Sequence, residues 1–164
     1  RGTSAFIQLY WAYFALPLLG LNLSPLQAGI SVLALNVGAY GSEIVRGAIR
    51  AVPDGQYEAG ASLGIPKLII LFKILLPQAM IRAILPLSNL MIDLLKGTSL
   101  LSAITITELA FAGRQLVSAG SAPMLIFSLI LLFYFCMTAP ISWGGRRLDN
   151  YYRLRQKLNG KENA

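Results

Sequence analysis

The 164-residue sequence contains no histidine and one cysteine, Cys136, and only 13% of its residues are charged. Without histidine, hydrolases with a Ser–His–Asp triad and histidine-ligated metal sites are excluded. One cysteine forms no disulfide within the chain, and its place in the apolar run 127–137 predicts a buried thiol. We therefore expect no catalytic residue, no metal site and no cofactor belonging to this chain.

The residues that are present are mostly hydrophobic. They make up 55% of the chain, and the mean hydropathy is +0.62, which is typical of a membrane protein and not of a water-soluble globule. The net charge of +7 would suggest nucleic acid as the partner of a soluble protein. In a membrane protein it reflects topology instead, so no nucleic-acid partner is expected.

Basic residues are absent from long parts of the sequence. Residues 2–45 contain none, residues 83–145 contain only Lys96 and Arg114, and the others cluster in 46–82 and 146–161, apart from Arg1. Basic residues concentrate in cytoplasmic segments of membrane proteins, and a bilayer-spanning helix needs about 20 apolar residues. The sequence therefore predicts four spans, at roughly 3–21, 25–45, 80–101 and 122–143.

These spans predict the domain organisation. Residues 1–145 form a transmembrane domain with a cytoplasmic loop at 46–80, and residues 102–121 form an outer connection. Residues 146–164 form a basic cytoplasmic tail, whose first half is typical of an anchor at the membrane interface. Because Arg1 and not methionine begins the chain, we expect an N-terminally truncated protein.

The cytoplasmic loop has strong local signals. Asp54 is expected to cap a short helix over Gln56–Leu63, and Gly64 fits the following position, where a positive φ is needed. Pro66 is expected to begin a second helix that Pro77 ends or kinks. The small residues of this loop favour either a docking surface for a partner or a tightly packed surface loop: Ala59, Gly60, Ala61, Ser62 and Gly64.

The spacing in this loop is specific. Glu58-Ala59-Gly60 is followed after three residues by Gly64 and after nine more by Ile74, with Leu76-Pro77 one residue later. This pattern resembles the EAA motif of the inner-membrane permease subunits of bacterial ABC importers. Gly60 in place of the second alanine is the one departure.

The resemblance extends to the polar amino-acid permeases of that superfamily. Leu95-Lys96-Gly97-Thr98-Ser99-Leu100 is similar to their Leu-Lys-Asp-Thr-Ser-Leu stretch, with Gly97 in place of aspartate. The start of the chain resembles their second span. The resemblance implies an all-α transmembrane fold, the permease core of a type I ABC importer, with four of about five helices present.

The resemblance also implies a function. The chain would be the translocation subunit of an ATP-driven importer for a polar amino acid or related small zwitterion in the bacterial inner membrane. Its implied partners are separate ABC ATPase subunits, a second permease subunit, an extracytoplasmic solute-binding protein and membrane lipid. The implied coupling residues are Glu58, Ala59, Gly60, Gly64, Ile74, Leu76 and Pro77.

A second group of polar residues lies near the outer end of the third span. Charged groups are costly inside a membrane, so Asp93 and Lys96 either form an ion pair that orients the helix or line a substrate path. The candidates for that path are Asn89, Asp93, Lys96, Thr98 and Ser99. An alternative is an ion-coupled secondary carrier that uses Asp93 and Lys96. Glu108 and Arg114 either contact a delivery protein or are solvated.

Overall fold

The computed structural model describes residues 2–162, with side chains described as far as Leu154. These residues form helices and no strand. The predicted all-α fold is therefore confirmed. The helices are α1 (Ala5–Tyr10), α2 (Pro25–Arg50), α3 (Gly55–Ser62), α4 (Lys67–Ile69), α5 (Leu76–Gly97), α6 (Leu109–Ser118) and α7 (Pro123–Glu162).

Irregular turns extend several of these helices. A π-helical segment, Trp11–Ala15, and a 3₁₀ segment, Leu16–Leu19, continue α1. A second π-helical segment, Ile70–Leu75, joins α4 to α5, and a 3₁₀ segment, Thr98–Ile104, follows α5.

Three helical stretches in the described part of the chain are long and apolar enough to cross a membrane. They are Pro25–Arg50, Lys67–Ile104 and Pro123–Leu154, of 26, 38 and 32 residues. Each contains one of the predicted spans that begin near residues 25, 80 and 122. The sequence therefore locates these three apolar stretches correctly but underestimates the length of their helices.

The first predicted span, 3–21, is shorter in the structure. Its apolar helix covers Ala5–Leu19. A helix needs about 20 residues to cross the hydrocarbon layer, so this one is shorter than a full span. Gly20 ends it in the left-handed region at φ +85°. Pro17 lies in the 3₁₀ turn, where its missing N–H removes an α-helical hydrogen bond.

The predicted loop 46–80 is largely helical. The α2 helix continues to Arg50, α3 covers Gly55–Ser62, and α4 begins at Lys67, one residue after the predicted start at Pro66. Pro77 neither ends this helix nor separates it from the span, because the π-helical segment lies before it. The wider π turn relieves the clash of the proline ring with the preceding carbonyl groups.

The chain folds as two compact units. The first contains residues up to Ala39 together with Met91–Pro140, and its core is formed by Leu9, Ala12, Ala28, Val32 and Ile104. The second contains Tyr40–Leu90 and the residues from Ile141 onwards, and its core is formed by Ala48, Val52, Ala79 and Ala83. The many alanines let helix backbones approach closely, which is typical of membrane helix packing.

In the second unit, α7 packs closely on α5 at Gly145. A Cβ atom added at Gly145 would lie 2.7 Å from Cβ and 2.3 Å from Oγ of Ser88. The Ser88 hydroxyl donates to the carbonyl of Ile84 at 2.8 Å. The absence of a side chain at Gly145 is therefore required for this contact.

The predicted tail is helical. The α7 helix passes without a break through the predicted domain boundary at residues 145 and 146 and continues to Glu162. Cys136 is exposed on this helix, so the prediction of a buried thiol is wrong. Its apolar neighbours lie on the outer surface of α7, where Phe135 is 68% exposed.

We expect Gly145→Ala to destabilise the protein by about 1–3 kcal/mol, because the new methyl group overlaps with the Cβ atom of Ser88. Gly144→Ala is the matched control, since a Cβ atom at Gly144 meets nothing within 4 Å. The measurement is the apparent Tm of the purified protein in detergent. Equal Tm values for the two variants would contradict this packing contact.

Candidate functional site

The first candidate region is the segment from Pro53 to Pro77, which we call the coupling segment. Its helix α3 begins after Asp54, as expected, but the Asp54 side chain makes no capping hydrogen bond. The Asp54 carbonyl accepts instead from the N–H groups of Tyr57 at 2.9 Å and Glu58 at 3.0 Å. The predicted position of the helix is correct, and the predicted side-chain cap is wrong.

The end of α3 agrees with the sequence. Gly64 has φ +70°, and its N–H donates to the carbonyl of Ala61 at 3.0 Å, while the N–H of Ile65 donates to the carbonyl of Gly60 at 3.1 Å. This is the Schellman arrangement, which needs a left-handed residue after the helix. The predicted positive φ at Gly64 is confirmed.

Gly60 is buried, whereas the sequence analysis placed it on a small-residue surface. It is the buried residue of α3, and a Cβ atom there would lie 3.0 Å from Cδ1 and Cγ1 of Ile70. Gly60 therefore faces the chain's own π-helical segment and does not belong to the exposed small-residue surface. The departure from the second alanine of the motif lets α3 lie directly on the fully buried Ile70.

The other side of α3 is exposed. Glu58, Ala59 and Ala61 lie at the surface, next to Leu63 and Leu68, which are 78% and 68% exposed. In the described part of the chain, the Glu58 carboxylate makes no ion pair or hydrogen bond. Two large apolar side chains are thus exposed beside the small residues of α3. The sequence analysis did not identify Leu63 and Leu68, although Leu63 interrupts a stretch of small residues.

The last residues of the motif connect this surface to a long helix. Ile74 and Leu76 are half-buried, and Pro77 is exposed. Directly after Pro77, the Gln78 amide donates to the side-chain oxygen of Gln56 at 3.4 Å, which ties α5 to α3. The coupling segment is therefore attached to α5 by both packing and a hydrogen bond.

The second candidate region lies towards the other end of α5. Asn89, Asp93 and Lys96 are exposed, and their spacing of four and three residues places them on one face of the helix. Within the part of the chain that the structure describes, Asp93 and Lys96 form no ion pair with each other. The expectation that they merely orient the helix as a pair is therefore not supported.

Thr98 and Ser99 lie in the 3₁₀ turn that follows. The Thr98 hydroxyl donates to the carbonyl of Leu95 at 2.6 Å, and the Ser99 hydroxyl donates to the carbonyl of Lys96 at 2.7 Å. These bonds satisfy carbonyl groups at the end of α5, where helical donors are missing. Both side chains are half-buried.

A groove of about 480 Å³ lies beside Lys96 in the first unit. Lys96 and the hydroxyl-bearing side chains of Tyr134 and Thr138 supply its polar atoms. Its walls are otherwise apolar: Phe127, Ile130, Leu131 and Phe135. The sequence analysis did not identify Tyr134 and Thr138, because they belong to α7 and approach Lys96 only in the folded chain.

Glu108 has a structural role. Its carboxylate caps α6 by accepting from the N–H groups of Ala110 at 2.9 Å and Phe111 at 2.8 Å, and it also accepts from the Tyr134 hydroxyl at 3.1 Å. Arg114 donates to the carbonyl of Ser102 at 3.0 Å. The sequence analysis offered contact with a delivery protein or exposure to solvent for Glu108 and Arg114. Neither alternative includes these bonds within the chain.

The chain is similar to known transport proteins. The family described as "Binding-protein-dependent transport system inner membrane component" matches residues 3–153. The probable amino-acid ABC transporter permease protein y4tF of Sinorhizobium fredii is 43% identical, over 92% of this chain and 66% of that protein. The L-cystine transport system permease protein TcyB of Bacillus subtilis is 37% identical, over 92% of this chain and 67% of TcyB.

A third relative, the glutamine transport system permease protein GlnP of Escherichia coli, is 33% identical, over 94% of this chain and 71% of GlnP. The crystal structure of an amino acid ABC transporter with histidines superposes with a TM-score of 0.86 and 32% identity, over 92% of this chain and 71% of that one. The chain thus spans about two thirds of the length of these proteins.

These matches confirm the resemblance to amino-acid ABC permeases that the motifs predict. The family and the long apolar helices both indicate a membrane protein. The chain belongs to the family of binding-protein-dependent transport system inner membrane components.

Proposed function

We propose that this chain is the translocation subunit of an ATP-driven importer for a polar amino acid or a related small zwitterion. In this proposal, separate ATPase subunits hydrolyse ATP and bind the coupling segment. Their conformational change displaces this segment, and α5 transmits the displacement to the membrane domain. A second permease subunit and a solute-binding protein complete the assembly in the bacterial inner membrane. The names of the relatives, which are permeases of amino-acid, L-cystine and glutamine transport systems, support the solute class.

One observation carries the coupling role. Within the coupling segment, Gly60 of α3 packs on Ile70 at the start of a membrane helix. The opposite side of α3 exposes Glu58 and Leu63. A short helix that is fixed on one side and open on the other suits a rigid contact with a partner. A movement of the partner would then move α3 and α5 together.

The exposed polar face of α5 supports a path for a zwitterion. Lys96 carries a charge that suits a carboxylate, and Asp93 carries one that suits an ammonium group. Because these two side chains are exposed and not paired with each other, their charges are available to a solute. Thr98 and Ser99 contribute by fixing the end of the helix that carries Lys96.

We expect Glu58→Lys to lower substrate-stimulated ATP hydrolysis at least about tenfold, because it reverses a charge at the proposed interface with the ATPase. The measurement uses the permease reconstituted with its partner subunits, together with its abundance in the membrane. Gln115→Lys, a similar change to a basic residue at an exposed position of α6, is the control and should have little effect. Equal hydrolysis by both variants and the wild type would refute the docking role of α3.

We expect the double substitution of Asp93→Leu and Lys96→Met to abolish uptake of radiolabelled polar amino acids while the complex remains in the membrane. The physical reason is that the double variant leaves no charged group among the path candidates for the two charged ends of a zwitterion. Both side chains are exposed, so replacing them leaves no buried cavity. Met91→Leu, a volume-conserving change at an exposed site of the same helix, is the control.

Near-normal uptake by the double variant would remove Lys96 and Asp93 from the substrate path. Uptake by the wild type that needs an ion gradient but no ATPase subunit would instead favour the ion-coupled carrier.

A further inference from the structure

The part of α7 beyond the membrane span carries an aromatic and basic face. Trp143, Arg147 and Tyr151 follow one another at intervals of four residues, which places them on one side of the helix. All three are exposed, Trp143 to 63% and Tyr151 to 59%. We call these three residues the interfacial face.

Arg147 differs from the two neighbouring arginines in its contacts. Arg146 donates to the Ser142 hydroxyl at 2.6 Å, and Arg153 forms an ion pair with the buried Asp149 at 2.8 Å. The Arg147 guanidinium lies 5.2 Å from the centroid of the Trp143 ring. Among the described residues it has no ion pair and no hydrogen bond, so its five N–H donors are open to a ligand.

A shallow groove of about 520 Å³ runs along this face. Its lining combines hydrogen-bond donors with apolar side chains: Arg147, Leu148, Asn150, Tyr151 and Leu154. A guanidinium that lies beside an aromatic ring and has free donors is well suited to bind a phosphate through two N–H groups. The Tyr151 hydroxyl and the Asn150 amide add donors next to it.

The surrounding charge and the depth in the membrane favour one kind of phosphate. Residues 146–161 contain six basic residues and one acidic residue, Asp149. Basic clusters directly after a membrane helix attract anionic lipids, and tryptophan and tyrosine are enriched at the level of lipid headgroups. The apolar part of α7 ends near Trp143, which places Arg147 at that level.

We propose that the interfacial face binds the headgroup of an anionic phospholipid, with its phosphate on the Arg147 guanidinium. Tyr151 and Asn150 donate to the phosphate or the glycerol, and Trp143 and Leu148 contact the beginning of the acyl chains. A protein partner on this face is less suitable, because a buried interface core contains few charged residues and would have to supply an acidic group to Arg147.

The test measures quenching of Trp143 fluorescence by brominated lipids. The permease, in a background where Trp11 and any tryptophan outside these 164 residues are replaced by phenylalanine, is placed in vesicles of phosphatidylcholine and phosphatidylglycerol with bromine on one lipid at a time. We expect stronger quenching by brominated phosphatidylglycerol. Arg147→Gln should lower this preference about fivefold, the contribution of one basic residue at an anionic surface.

Arg146→Gln is the matched control, because it removes the same charge from the neighbouring position of the same helix and lies outside the groove. Its guanidinium is already held by the carbonyl and hydroxyl of Ser142, so the preference should fall by a smaller factor than in Arg147→Gln. Unchanged helical circular dichroism verifies that both variants are folded.

Three outcomes would overturn the proposal. Equal quenching by the two lipids in the parent protein would mean that a protein or ordinary bilayer lipid covers this face. An equal loss of preference in both variants would mean that only the diffuse charge of the helix attracts the lipid. An unchanged preference in Arg147→Gln would remove Arg147 from the contact.

Discussion

The hydrocarbon layer of a membrane offers no hydrogen-bond partner to the backbone, and this constraint shapes the whole chain. Every membrane-crossing stretch must satisfy its N–H and C=O groups internally, so the described residues form helices. The same constraint explains the behaviour of the hydroxyl groups. Ser88, Thr98 and Thr138 each donate to a carbonyl of their own helix. These side chains are thereby satisfied without water.

Helices that all satisfy their own backbones must associate by close packing, because lipid is as apolar as their side chains. Small residues make this packing possible in both units. Gly145 lies against Ser88 in the second unit, and Gly113 lies against Ile126 and Ile130 in the first. Gly60 serves the same purpose outside the span, where it lets α3 lie on Ile70. One residue of the motif is thus an internal packing contact, and the proposed docking surface begins at its neighbours.

Much of the fold follows from local patterns in the sequence. The three long apolar stretches, the end of α3 at Gly64 and the family are correct because each depends on composition or on fixed spacing. Local patterns do not show what depends on residues far apart in the chain. The burial of Gly60 by Ile70 and the contact of Tyr134 with Glu108 are of this kind. Pro77 is a third case, since a proline predicts a helix break unless the preceding turn is widened.

The widened turn before Pro77 changes the direction in which side chains point around the helix axis. Each turn of α-helix contains 3.6 residues, whereas a π-helical turn holds about one residue more. Side chains before Ile70–Leu75 are therefore rotated by about 100° relative to the positions that an unbroken α-helix would give them. The direction in which α4 points its side chains is thus decoupled from the direction of the polar face of α5. A helical wheel drawn through both would assign residues to the wrong sides. Deleting one residue from the π-helical segment would turn α4 about the axis of the span and break the present contacts of α3 with Ile70 and Gln78.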